Sequence, residues 1–177
     1  MKATGIVRRI DDLGRVVIPK EIRRTMRIRE GDPLEIFTGT GGEVIFKKYS
    51  VIGEMGDFVG TLAEAVSKNT EFCVLICDRD HCIAAAGLSK KEVLGRRVTP
   101  EVEELMNERR AAKFDDEIGF TALEGFKRTV KFAVPVIGAG DVGGIVILLE
   151  SDNNAELSES DMKLISAAAD FLSRQSE

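Results

Sequence analysis

TGIVRRIDDLGRVVIPKEIRRTMRIREGDPLEIF, residues 4–37, decides how this chain is read. From Thr4 to Ile10 the residues alternate as in a strand, and Asp11-Asp12-Leu13-Gly14 follows as a turn. Arg15–Ile18 reads as a second short strand. Pro19 suits the first turn of a helix, where the missing N–H costs little, and Lys20–Met26 continues it with Glu21, Arg23 and Arg24. Glu30-Gly31-Asp32-Pro33 turns the chain again. Strands at Leu34–Thr38 and Val44–Tyr49 then flank the glycine-rich turn Gly39–Gly42, so the first fifty residues read as ββαββ.

Four short strands and one helix of about two turns bury little apolar surface, and their open edges invite pairing with another chain. An interleaved homodimer follows, each chain completing the other's sheet, unless a second domain covers those edges. Charge divides the chain at the same place. The net charge is −5, yet residues 1–50 carry 11 Lys/Arg against 7 Asp/Glu, a net of +4. Residues 51–177 carry 14 against 23, a net of −9. A basic module joined to an acidic one puts any polyanionic partner on the first. Arginine suits DNA because its planar fork makes paired hydrogen bonds to phosphate or to guanine. Arg8 and Arg15 flank one turn, so antiparallel pairing brings them near each other, whereas Arg8 and Arg9 point to opposite faces.

The same stretch resembles the AbrB-type swapped-hairpin domain of bacterial transition-state regulators over about 47 residues. The resemblance rests on Gly14-Arg15-Val16-Val17-Ile18-Pro19, a helix with Arg23-Arg24, and Gly31-Asp32 before an apolar strand. It implies a double-stranded DNA partner and a DNA-facing set of Arg8, Arg15, Arg23 and Arg24. Lys2, Thr4, Arg9, Lys20 and Arg27 would be peripheral contacts, with Asp11, Asp12 and Glu21 orienting the arginines by ion pairs. Eight arginines per dimer would meet roughly six to eight phosphates, so binding should weaken steeply with salt. Such a surface has no long recognition helix and reads groove shape and flexibility as much as base edges.

After residues 51–54, read as a linker, Met55, Val59, Leu62 and Val66 fall at helical spacing, with Phe58 widening the stripe. Strands are expected at Glu71–Cys77 and Cys82–Ala86, helices at Lys90–Gly95 and Glu101–Arg110, and strands at Val130–Ile137 and Gly144–Leu149. A last helix starts near Ser158, with Ser158 and Asp161 as its capping pair and Met162, Ile165, Ala169 and Leu172 as its stripe. This order resembles a GAF domain, a small sensory α/β fold. The resemblance implies a small-molecule ligand of unspecified class, with Cys77, Ala85, Phe114, Phe120 and Phe126 as candidate lining residues, each equally readable as core. It also implies dimerisation through the terminal helices, by Met55, Phe58, Val59, Leu62, Val66, Met162, Ile165, Ala169 and Leu172. Both stripes could equally cover their own sheet. Pairing through both modules would give a homotetramer.

The fold class expected is therefore α+β. A β-rich swapped-hairpin domain for dimerisation and DNA binding spans residues 1–50, and a GAF-like α/β domain spans residues 55–177.

Several chemistries lose support. Cys73, Cys77 and Cys82, with His81 beside the last, lack the paired spacing of a zinc site, so no metal or cofactor is expected. Gly138-Ala139-Gly140-Asp141-Val142-Gly143 matches GxGxxG, but a strand follows it, so it reads as a hairpin turn. His81 has no obvious nucleophile partner, and Asp115 and Asp116 lie in a charged stretch, so no enzyme is expected. No apolar run approaches the roughly 18 residues of a bilayer span, and a cytoplasmic, nucleoid-associated protein without a membrane partner is the default. Two rival functions remain: an antitoxin, which usually ends in an extended tail, and a GAF signalling subunit whose basic head is only an assembly module.

Overall fold

The computed structural model describes residues 4–114 and 119–176, and the chain divides into two compact units, Met1–Tyr49 and Ser50–Glu177.

The first unit holds helix α1 (Lys20–Thr25) and the antiparallel hairpin of β1 (Leu34–Thr38) and β2 (Val44–Lys48). Asp11–Gly14 forms the expected turn, closed by Asp11 N–H on the Arg15 carbonyl at 3.1 Å and Gly14 N–H on the Asp11 carbonyl at 3.0 Å. Gly14 sits at φ +75°, a backbone region that costs glycine nothing. The flanking segments, Thr4–Ile10 and Arg15–Ile18, were expected as strands and lie outside any strand of the described chain. Alternation fixes which side chains share a face. A ladder also needs a neighbouring backbone.

Arg27, at φ +51°, ends the helix, and Lys48 Nζ donates to its carbonyl at 2.9 Å. Asp32 accepts from Arg29 N–H at 2.8 Å and pairs with Lys48 at 3.6 Å. These bonds tie the helix end to β2. No described residue of residues 4–49 is buried.

The second unit begins with a helical turn, α2 (Val51–Glu54), where a linker was expected. Ser50 caps it by accepting from Gly53 N–H at 3.0 Å, and Ile52 is fully buried. Next come α3 (Asp57–Ser67), β3 (Cys73–Asp78), β4 (Cys82–Ala86), α4 (Lys90–Val93) and α5 (Pro100–Glu108). The chain then runs through β5 (Ala112–Lys113), β6 (Val130–Gly138), β7 (Asp141–Leu149) and α6 (Glu159–Gln175). The sheet is antiparallel in the order β4-β3-β7-β6-β5.

Both faces of the sheet are covered, which is why its strands read as unbroken apolar runs. Cys73, Leu75 and Cys77 face a layer with Val93, Val98, Val102 and Met106. Val74 and Ile76 face Val59, Ala63, Val66, Ile165 and Leu172 on the other side. Gly144 is required at the β3–β7 crossing, because a Cβ there would overlap the Cys77 carbonyl. The GxGxxG segment is the β6–β7 hairpin, turning at Ala139 (φ +48°) and Gly140 (φ +87°).

Candidate nucleic-acid interface

The arginines fall on two short elements of the first unit. Arg8 and Arg9 precede the Asp11 turn and Arg15 closes it, while Arg23 and Arg24 occupy the last turn of α1. There their charge complements the helix C-terminus, as Glu21 complements the first turn. Arg8, Arg9, Arg15, Lys20, Arg23 and Arg24 are exposed, as is Thr4, and Arg27 is half-buried. Lys2 lies outside the described residues, as do Asp115 and Asp116.

Of the three carboxylates expected to orient arginines, Asp11 does so. Its Oδ2 accepts from Arg15 Nε at 2.7 Å, and its Oδ1 accepts from the Leu13 and Arg15 backbone N–H groups at 3.0 and 2.8 Å. The Arg15 backbone N–H and then its guanidinium hold the Asp11 carboxyl below the ordinary aspartate range. Among the described residues no carboxylate engages Arg8, Arg9, Arg23 or Arg24. Cations without counterions on an exposed surface can neutralise phosphates without first breaking an ion pair.

Apolar side chains share this exposure. Val7 is 89% exposed, and Ile10, Leu13, Val16, Val17, Ile36, Val44 and Phe46 are exposed too. These side chains lie on a unit whose described residues include no buried one.

In the second unit Cys77 and Ala85 are buried, and Phe114, Phe120 and Phe126 pack half-buried on the same core, Phe114 edge-on to Phe120 at 5.0 Å. The structure brings these five together, in a layer filled with side chains. A cavity of about 480 Å³ opens elsewhere, lined by Ser67, Thr70, Glu71, Phe72, Cys73, Gly87, Asp152 and Asn153. Sequence reasoning missed it because its walls come from the ends of several elements, with no local signature.

The oligomerisation stripe needs correcting. Val59, Val66, Ile165, Ala169 and Leu172 are buried against the chain's own sheet and offer nothing to a partner. Helical periodicity identifies the apolar face without saying what covers it. Met55, Leu62 and Met162 are half-buried at its margin. Phe58 remains exposed beside Phe171, their rings 5.5 Å apart.

Catalytic geometry is weak. His81 N–H donates to Asp78 Oδ1 at 2.7 Å within its turn. Burial pushes the Cys73 thiol up, and a hydrogen bond with Cys82 together with burial does the same for Cys77, so neither favours the thiolate. No group of three or more His, Cys, Asp or Glu among the described residues could hold a metal.

Comparison with known proteins agrees with both halves. Residues 54–177 match the family described as stage V sporulation protein T C-terminal, transcription factor. Residues 7–51 match the family described as antidote-toxin recognition MazE, bacterial antitoxin. Stage V sporulation protein T of Bacillus subtilis (strain 168) is 48% identical, covering 100% of this chain and 99% of that one. The transition state regulatory protein AbrB of the same organism is 52% identical over 63 residues, 32% of this chain and 65% of that one. Among solved structures, the GAF domain of an Acinetobacter phosphoenolpyruvate-protein phosphotransferase covers 73% of this chain and 84% of its own at 14% identity and a TM-score of 0.50, a likeness of fold alone.

Proposed function

Because the chain belongs to the stage V sporulation protein T family of transcription factors, we propose that it is a DNA-binding regulator of sporulation genes. It works as a homo-oligomer on chromosomal DNA in the cytoplasm, and activates or represses according to where its sites fall. The observation that carries this reading is the set of exposed arginines, Arg8, Arg23 and Arg24 without ion pairs and Arg15 held by Asp11, on a unit none of whose described residues is buried. Thr4, Arg9, Lys20 and Arg27 extend the surface, and Lys2 joins them by sequence.

Two copies of the first unit cover each other's apolar side chains and place two sets of arginines on one duplex. The second unit adds a contact through Phe58 and Phe171, with Met55, Leu62 and Met162 at its margin, and so links dimers into a tetramer. Its regulatory input is a small molecule at the layer of Cys77, Ala85, Phe114, Phe120 and Phe126, where binding must rearrange packing. Calorimetry and melting shifts against nucleotides and amino acids test this, and silence across both panels removes it. No catalytic step is assigned. The antitoxin reading rests on the match at residues 7–51, but the patterned domain that follows is not the extended tail such proteins use.

The deciding experiment is fluorescence anisotropy on an AT-rich promoter duplex across a salt series. The native chain should bind tightly and weaken with salt, by about 0.9 in log K per phosphate contact per decade. An Arg23→Ala/Arg24→Ala variant that still dimerises should lose about two orders of magnitude and show a shallower salt slope. Binding indifferent to those two arginines would leave the first unit as an assembly module.

A further inference from the structure

Asp11 stands out from Asp12 and Glu21 because its carboxylate engages one of the arginines of this surface. Its two oxygens do separate work. Oδ1 accepts from the Leu13 and Arg15 backbone N–H groups at 3.0 and 2.8 Å and builds the turn. Oδ2 takes Arg15 Nε at 2.7 Å, which fixes the guanidinium by one edge. The terminal amino groups, Nη1 and Nη2, carry no partner among the described residues, and the Arg15 side chain is 69% exposed.

A guanidinium held in this way has its end-on fork pointing away from the carboxylate, with both N–H donors parallel. That fork matches the N7 and O6 acceptors on the major-groove edge of guanine. A phosphate approaching Arg15 would also approach Asp11, and like charges repel. Arg8, Arg23 and Arg24 carry no such carboxylate and remain free to take phosphates. The surface therefore divides its arginines into clamps and one buttressed reader.

Resting on the DNA-binding reading above, we infer that Asp11 is a specificity-determining positioning residue: it holds Arg15 off the phosphate backbone and presents it end-on to a guanine base. Recognition that otherwise depends on groove shape thereby gains one base-reading contact per turn.

The test uses the full-length chain and two probes: a duplex that the native protein selects from a random pool, and a scrambled duplex of the same composition. Asp11→Asn keeps an oxygen for the two backbone N–H groups but removes the charge facing Arg15. The preference for the selected duplex should fall roughly tenfold, the loss of one bidentate base contact. Affinity for the scrambled duplex should rise, with a salt slope steeper by about 0.9 for each Arg15 that now lands on a phosphate. Arg15→Lys leaves the turn and Asp11 untouched and keeps the cation, but it cannot offer two parallel N–H groups. It should lose the same preference without gaining on the scrambled duplex. Replacing the guanines of the selected duplex by 7-deazaguanine should weaken native binding and leave both variants unchanged.

The assignment is overturned if Asp11→Asn keeps the native preference and slope, or loses affinity equally on both duplexes, which would mark a merely structural turn. Should Asp11→Asn fail to dimerise, an Arg15→Lys chain with the native preference overturns it instead. A native chain that binds neither duplex in a salt-dependent way defeats the DNA-binding reading itself. Salt-dependent native binding with unaltered variants defeats only the role of Asp11.

Discussion

Val7 and Ile147 are both β-branched residues in stretches that favour strands, yet Val7 is 89% exposed and Ile147 is fully buried. Ile147 lies on β7, with a paired strand on each side and a packed layer on each face. Val7 has no such surroundings within its own chain. The second unit is complete as a folding unit, whereas the first has the sequence of a folded domain but only part of its core. On the assembly proposed above, folding of the first unit is linked to association and to DNA binding. Linkage of that kind makes its stability depend on protein concentration, at about 1.4 kcal/mol per tenfold change.

The largest expected effect tests that contrast directly. In the full chain, hydrogen exchange across residues 4–49 should quicken as the protein is diluted, until those amides exchange as an unfolded segment. Amides of β3 and β7 should keep their protection at every concentration. Concentration-independent protection in the first unit would mean that it completes its own core, and the contrast would collapse.

A smaller effect comes from cutting into the complete core. Leu75 is fully buried on β3, which is paired on both sides by β4 and β7, so Leu75→Ala should cost about 2–5 kcal/mol and lower the melting temperature of the second unit. Salt-dependent DNA binding at 25 °C should survive in the same variant if the two units fold independently. Smaller again is truncation of the exposed aromatic pair. Phe58→Ala with Phe171→Ala should weaken association of the second unit about tenfold, close to the energy of one aromatic pair. If the second unit joins dimers as proposed, light scattering would show dimers replacing tetramers without a change in melting temperature. A matching fall in melting temperature would instead return both rings to the protein's own core.

The sequence made some of this legible and concealed the rest for identifiable reasons. The hairpin at Gly138–Gly143, the strand Cys82–Ala86 and the Ser158 cap were readable because their signals are local: turn residues, an unbroken apolar run, and an acid three residues after a serine. Helix α2 was not, because four residues containing Gly53 have too little periodicity, and the burial of Ile52 is settled by contacts with distant residues such as Gly143. β5 was hidden in the same way, two residues paired to Ala133 and Phe132 far along the chain. At the interface, the arginines were legible as a charge cluster. That Asp11 would engage Arg15 while Asp12 and Glu21 left the others alone depended on the turn geometry, which spacing does not encode.

The smallest effect lies in the second unit, where local rules do settle the structure. Ser158 Oγ accepts from Asp161 N–H at 3.2 Å, and Asp161 Oδ2 accepts from Ser158 N–H at 3.0 Å, a reciprocal cap on α6. The Ser158 hydroxyl also donates to Asp161 Oδ2 at 2.5 Å, and Thr70 Oγ1 donates to Asp161 Oδ1 at 2.7 Å, pinning the helix start to the segment before β3. Burial pushes the Asp161 carboxyl up, but the Ser158 and Thr70 hydrogen bonds outweigh it and hold the group below its ordinary value of 3.8. A carboxyl whose folded value is depressed contributes stability that is complete above its unfolded value and lost as pH falls through the folded one. Asp161→Asn should therefore cost about 1 kcal/mol at neutral pH. The gap between variant and native should hold steady from neutral pH down to about pH 5, narrow below about pH 4, and close as pH falls through the depressed folded value, where the native carboxyl takes up its proton. Denaturant titrations of the second unit at several pH values measure that gap. A gap that does not narrow at all on acidification would mean the side chain acts through shape and neutral hydrogen bonds. Meanwhile the concentration dependence of the first unit should be the same in native and variant chains, since nothing in this cap bears on how the first unit completes its core.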